Sequence, residues 1–119
     1  MKYWLLFALF ISFSGHTQDA KYYVTAESSA MELAALQQQA KDEDKLLMLV
    51  LGADWCHDSR ALMAHFQQPE FAAALEQRYV MQAIDVGYLE YGFFVTNAFG
   101  APIYYGTPTV MIIDPNSGR

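Results

Sequence analysis

Positive charge is scarce in this chain. Its 119 residues carry seven Lys and Arg against thirteen Asp and Glu, a net charge of -6. That balance argues against nucleic acid or an anionic membrane surface as the main partner. Cysteine is scarcer: Cys56 stands alone, so no internal disulfide can form. No nucleophile elbow and no phosphate-cradling glycine loop is present, which removes the motif basis for a serine hydrolase or a nucleotide-binding enzyme. No apolar run reaches the roughly 20 residues that a bilayer-spanning helix needs. Internal repeats and low-complexity stretches are absent as well.

What the chain does have is apolar mass. Hydrophobic residues make up 54% and charged residues 17%, a composition that supports one packed domain and excludes wholesale disorder. The start differs from the rest. Lys2 precedes an apolar run from Tyr3 to Ile11, and Ser12, Phe13, Ser14 and Gly15 follow. A basic start, an apolar stretch of about ten residues and small residues after it describe a secretory signal peptide. Cleavage after Ser14 fits the small-residue rule, and a cut after Thr17 is also compatible. The expected organisation is a signal over residues 1–17 and one domain over 18–119, exported to the periplasm or the extracellular space. No cysteine follows the apolar run, so a lipid anchor on an N-terminal cysteine is excluded. Export makes the lone thiol notable, because oxidising compartments favour paired cysteines. The bland explanation is a small buried core residue.

Local pattern places that thiol. Lys21–Thr25 is a short β-prone stretch, and Ser28 or Ser29 can cap a helix with Glu32 as capping-box partner. Met31, Leu33, Ala34, Leu36 and Ala40 recur with helical spacing up to the polar break at Lys41–Lys45. Leu46–Leu51 is unbroken and apolar, as befits a central strand buried on both faces. Gly52, Ala53 and Asp54 end it, and Trp55–Arg60 opens a helix that runs to Gln67. Pro69 starts another, with Phe71, Ala72 and Leu75 expected to face inward. Tyr79–Val86 reads as a strand, Tyr88–Ala98 as a weaker helix, Thr109–Ile113 as a strand, and Asp114–Gly118 as a turn. Alternating strands and helices with crossovers give an α/β layer architecture.

A cysteine between a buried strand and a helix start has chemical meaning. Unpaired N–H groups and the positive end of the helix dipole favour an anion there, and a thiolate is one. Ser59, three residues on, can donate a hydrogen bond to it. His57 adds positive charge when protonated, and Asp58 opposes it.

Trp55-Cys56-His57-Asp58-Ser59 resembles the W-C-x-x-C motif of the thioredoxin-like superfamily, with serine in place of the second cysteine. Gly106-Thr107-Pro108-Thr109 resembles that family's G-T-P-T segment. The split helix at Phe66–Phe71 and Ile84-Asp85-Val86 look more like an exported bacterial branch than like thioredoxin itself. The resemblance covers about residues 31 to 118. It implies a three-layer α/β fold around a central mixed sheet, and thiol–disulfide chemistry with Cys56 as nucleophile. It further implies Ser59 and a cis Pro108 at the catalytic centre, with Trp55, His57 and Thr107 lining the substrate side. The implied partners are protein or small-molecule thiols and disulfides and an external thiol reductant, with no cofactor.

Three departures sharpen this. Ser59 cannot resolve a mixed disulfide, which leaves monothiol exchange, isomerisation or trapping. Val50 stands where thioredoxin has a buried acid. The family's last strand and helix would lie beyond Arg119, so Thr109–Ile113 is expected to have an open edge. A redox-inactive binding module on the same fold is the competing expectation. A metal site built from Cys56, His57 and His65 is disfavoured, because the two histidines sit roughly 12 Å apart along a helix. His65 is expected on the helix surface. Tyr88, Tyr91, Phe93, Phe94, Phe99, Tyr104 and Tyr105 are expected mostly to pack in the core or loops, with Tyr104 and Tyr105 as alternative walls of a peptide groove.

Overall fold

The computed structural model describes residues 21–23, 26–100 and 104–119. The expected signal segment therefore lies outside the described residues. Leu46–Gly52 forms β1, and its apolar run is buried at every position after Leu46. Burial on both faces follows from its place at the centre of a three-stranded sheet of order β2-β1-β3. Parallel β2 (Tyr79–Asp85) lies on one side, with Val50 opposite Ala83. Antiparallel β3 (Thr109–Ile113) lies on the other, with Val50 opposite Val110. The sheet is thus mixed, and helices cover it on both faces.

Strand alternation sorts the core into two halves. Leu47, Leu49 and Leu51 point to one face, where they meet Ala40 of α1 (Ala26–Asp42) and Val95 of α4 (Phe93–Ala98). Met48 and Val50 point to the other. There they meet Met63 of α2 (His57–Phe66), Leu75 of α3 (Pro69–Arg78) and the Tyr23 ring. Four side chains of β1 are completely buried, Leu47, Leu49, Val50 and Leu51. At about 1.5–3 kcal/mol each, they are the main hydrophobic anchor of the fold. The Gln37 amide donates to the Pro115 carbonyl at 2.9 Å, which ties α1 to the turn after β3.

Several expectations need correction. Lys21–Tyr23 is not a strand. Its backbone N–H at Tyr22 donates to the Asp54 carboxylate and its Tyr23 ring enters the core, so side-chain tethering replaces a sheet ladder. Helix α1 starts at Ala26, which places Ser28 and Ser29 inside its first turn, where serine is tolerated. Phe71 is exposed and packs against the His65 ring on the helix surface, with centroids 4.4 Å apart. A ten-residue helix anchored through Ala72 and Leu75 has too narrow an inner face to reach it. The helix expected from Tyr88 shrinks to six residues, because Gly92 adopts the left-handed conformation, φ 87°, and starts it afresh. Of the later aromatics only Tyr104 is buried; Tyr88, Tyr91, Phe93, Phe94 and Tyr105 are exposed and Phe99 is half-buried. The loop from Gly87 to Tyr91 lies outside the packed layers, so its rings have no core to enter.

Among the described residues, β3 is an edge strand, and Val110 and Ile112 are exposed on it. No helix among those residues is long and apolar enough to cross a membrane.

Candidate functional site

The end of β1 and the start of α2 meet at Cys56. The Cys56 N–H donates to the Ala53 carbonyl, which closes a tight turn after the strand. Cys56 then occupies the N-cap of α2 in extended conformation, and its own carbonyl accepts from the Arg60 N–H. A cap residue faces the helix's unpaired N–H groups. Its partly exposed sulfur therefore sits where negative charge is favoured.

Four groups hold the thiol below its ordinary range. The Ser59 hydroxyl acts most strongly, then the Thr107 side chain, then the backbone N–H groups of Ser59 and Asp58; partial burial opposes them. The Ser59 hydroxyl is fully buried and makes no hydrogen bond within the resting fold. These facts fit together. The O–H has no acceptor in this structure, and a Cys56 thiolate would supply one. In the neutral state the thiol instead points at the Thr107 carbonyl, 3.7 Å away. That weak contact favours the protonated form, so the other groups set the direction.

Thr107 reaches the sulfur because the chain turns sharply before β3, where the Thr107–Pro108 peptide bond is cis. The Thr109 hydroxyl donates to the Gly106 carbonyl at 2.8 Å and fixes the turn from inside. Trp55 projects the other way. Its indole N–H donates to the Gly87 carbonyl at 2.8 Å, and its ring stacks on Tyr88 with centroids 5.3 Å apart. His57 lies on the outside of the helix start, 3.4 Å from the Asp58 carboxylate, with both side chains largely in water. Cys56, Ser59, Thr107 and Pro108 thus form one cluster, while Trp55 leads from it to the loop after β2.

The bottom of this cluster contains a residue that sequence reasoning missed. The Tyr23 hydroxyl donates to the Ser59 carbonyl at 3.0 Å, inside the fold. Burial, with help from Asp54 and Cys56, pushes the Tyr23 pKa up to about 12 although the hydrogen bond at Ser59 works the other way. The signal in the sequence was Gly52. A Cβ there would come within 2.6 Å of the Tyr23 ring and 2.7 Å of the Ser59 hydroxyl, so only glycine admits the two together. Tyr104 also departs from expectation. It is buried, stacks on Phe93 and donates its hydroxyl to the Tyr91 carbonyl, so it props the aromatic loop from below and lines no groove. Tyr105 is almost fully exposed.

Among the described residues, no group of three or more His, Cys, Asp or Glu side chains is placed to hold a metal ion.

A family model described as thioredoxin-like matches residues 28–115. Among solved structures the chain is similar to a disulphide isomerase from Xylella fastidiosa Temecula1. The identity is 25% and the TM-score 0.67, over 92% of this chain and 76% of that one. No curated protein matches. The matched span includes both the Cys56 turn and the Thr107–Pro108 turn, with the sheet that joins them. The chain belongs to the thioredoxin-like family.

Proposed function

We propose that this protein performs thiol–disulfide exchange through Cys56 as a single-cysteine site, acting on exported proteins or small thiols. One observation carries the proposal. The only thiol in the chain lies at a helix N-cap, held below its ordinary pKa, against the turn that contains the cis Thr107–Pro108 bond. Similarity to a disulphide isomerase supports the same reaction class.

The Cys56 thiolate attacks one sulfur of a substrate disulfide. A new S–S bond forms, the substrate S–S bond breaks, and the departing sulfur leaves as a thiolate that takes a proton from water. Because Ser59 replaces a second cysteine, the mixed disulfide waits for another thiol. When a substrate thiolate attacks it, the substrate is rearranged with no net redox change. When an external thiol reductant attacks it, Cys56 is regenerated and the reductant stays joined to the substrate or leaves as its own disulfide after a second exchange. The lysine, apolar run and small residues over positions 1–17 support export as a signal peptide.

Intact-mass analysis after incubation with glutathione disulfide tests the chemistry. One glutathionyl adduct on the folded protein, absent from Cys56→Ser, is the expected result. A folded protein that takes up no adduct at neutral pH is a redox-inactive binding module. Cell fractionation with N-terminal sequencing tests export: a periplasmic product with a new start after Ser14 or Thr17 supports it, and a cytoplasmic product with an intact Met1 refutes it.

A further inference from the structure

The aromatic loop beside the thiol has a property that the exchange reaction does not need. Trp55 and Tyr88 are stacked at 17° between planes, yet remain 52% and 74% exposed. Large stacked rings left in water mark a contact surface. The loop that carries Tyr88 is well braced. The Gly87 N–H donates to the Asp85 carboxylate at 2.8 Å, and the Glu90 and Tyr91 N–H groups both donate to the Val86 carbonyl. A side chain at position 87 would meet the Tyr91 ring at 2.7 Å and a Glu90 carboxylate oxygen at 3.2 Å. The Glu90 carboxylate therefore lies over the same Gly87 whose carbonyl holds the Trp55 indole.

Charge decides what this surface holds. From Tyr79 to Gly118 the chain has no Lys, Arg or His, while Asp85, Glu90 and Asp114 fall within that span. Among the described residues no base pairs with Glu90. The basic residues nearest the thiol in sequence are His57, which faces Asp58, and Arg60, which is exposed one turn into α2. An aromatic face beside an unpaired carboxylate is complementary to a lysine or arginine side chain, which the rings attract through their π-electrons and the carboxylate through its charge.

We propose that Trp55, Tyr88 and Glu90 form a specificity surface that holds a basic residue of an extended polypeptide while Cys56 reacts with that polypeptide's disulfide. This rests on the exchange reaction proposed above, because the surface adjoins the sulfur through Trp55. The preferred substrates are thus basic cysteine-containing chains, which suits the net charge of -6.

The test uses symmetrical disulfides of short peptides that are identical except for one residue beside the cysteine: Arg, Ala, Phe or Glu. The rate of mixed-disulfide formation on the full chain is followed by intact mass. The Arg peptide should react roughly three- to tenfold faster than the Ala peptide, and the Glu peptide more slowly than either. The advantage should fade at about 0.5 M salt. Tyr88→Ala and Glu90→Gln should each shrink the Arg-to-Ala ratio. Equal rates for Arg and Ala would overturn the proposal. So would a salt-independent preference for Phe, which would make the surface merely apolar. Glutathione disulfide labelling without labelling by any peptide overturns the surface alone; labelling by neither overturns exchange through Cys56.

Discussion

Replacing Ser59 by alanine should move two properties in opposite directions. The hydroxyl is completely buried and has no partner in the resting fold, and a buried unsatisfied polar group costs about 1–3 kcal/mol. Alanine removes it and leaves only a small gap, so the neutral-thiol protein should gain up to about 1 kcal/mol of stability. The same hydroxyl is also the strongest of the groups that hold the Cys56 thiol down. A hydrogen bond to a charged group contributes about 1.5–3 kcal/mol, and the partly exposed sulfur places this one at the low end. The assay is iodoacetamide alkylation of the native protein across pH, paired with urea unfolding at a pH below the transition. In Ser59→Ala the midpoint of the rate profile should rise while the unfolding midpoint holds or climbs. The sign is fixed. A lowered thiol pKa favours the folded thiolate, so that contribution is present at high pH and is lost as pH falls through the folded value. An unchanged midpoint, or a loss of more than about 1 kcal/mol at low pH, would refute the idea of a donor reserved for the thiolate.

Two further substitutions address the support of the cluster. Gly52→Ala places a methyl group 2.6 Å from the Tyr23 ring and 2.7 Å from the Ser59 hydroxyl, so the overpacked fold should lose about 1–3 kcal/mol, read as a lower Tm by calorimetry. Tyr23→Phe removes the donor to the Ser59 carbonyl and should cost about 0.5–1.5 kcal/mol in urea unfolding at neutral pH. The Tyr23 pKa is pushed from 10.0 to about 12, so its neutral form stabilises the fold below pH 10 and that contribution is lost as pH rises toward 12. Tyr23→Phe should therefore flatten the alkaline decline in stability, and an identical decline in both proteins would show that Tyr23 titrates alike in the folded and unfolded chains, with no upward shift.

The parts of the fold that were legible in the sequence are those that local pattern dictates. Leu46–Leu51 announced a two-faced central strand because no polar residue interrupts it, and Pro69 marked a helix start because its missing N–H is harmless there. The Cys56 and Thr107–Pro108 segments were readable as motifs, and the fold brings the Cys56 sulfur and the Thr107 carbonyl within 3.7 Å. What escaped depends on contacts between distant residues. Tyr23 looked like a strand residue because β propensity responds to ring shape, and only the space left above Gly52 reveals that the ring is drawn into the core. Tyr88 and Tyr91 looked like helix packing because spacing alone does not show that Gly92 turns left-handed and cuts the helix short.

The buried neighbours of the thiol also determine where its proton goes. Val50 is fully buried in one cluster with Met63 and the Tyr23 ring, and among the described residues no carboxylate is buried there. The Tyr23 hydroxyl is a poor relay, since its pKa of about 12 keeps it protonated and its hydrogen is committed to the Ser59 carbonyl. The Ser59 hydroxyl can donate to a thiolate but cannot carry a proton away at neutral pH. That leaves the partly exposed side of the sulfur, through which the exchange proposed for Cys56 would release its proton to water. A two-cysteine site needs an internal base to deprotonate its second thiol inside the mixed disulfide. With Ser59 in that position the need disappears, and an apolar floor under the cysteine becomes compatible with exchange because the incoming thiol can lose its own proton to solvent before it attacks.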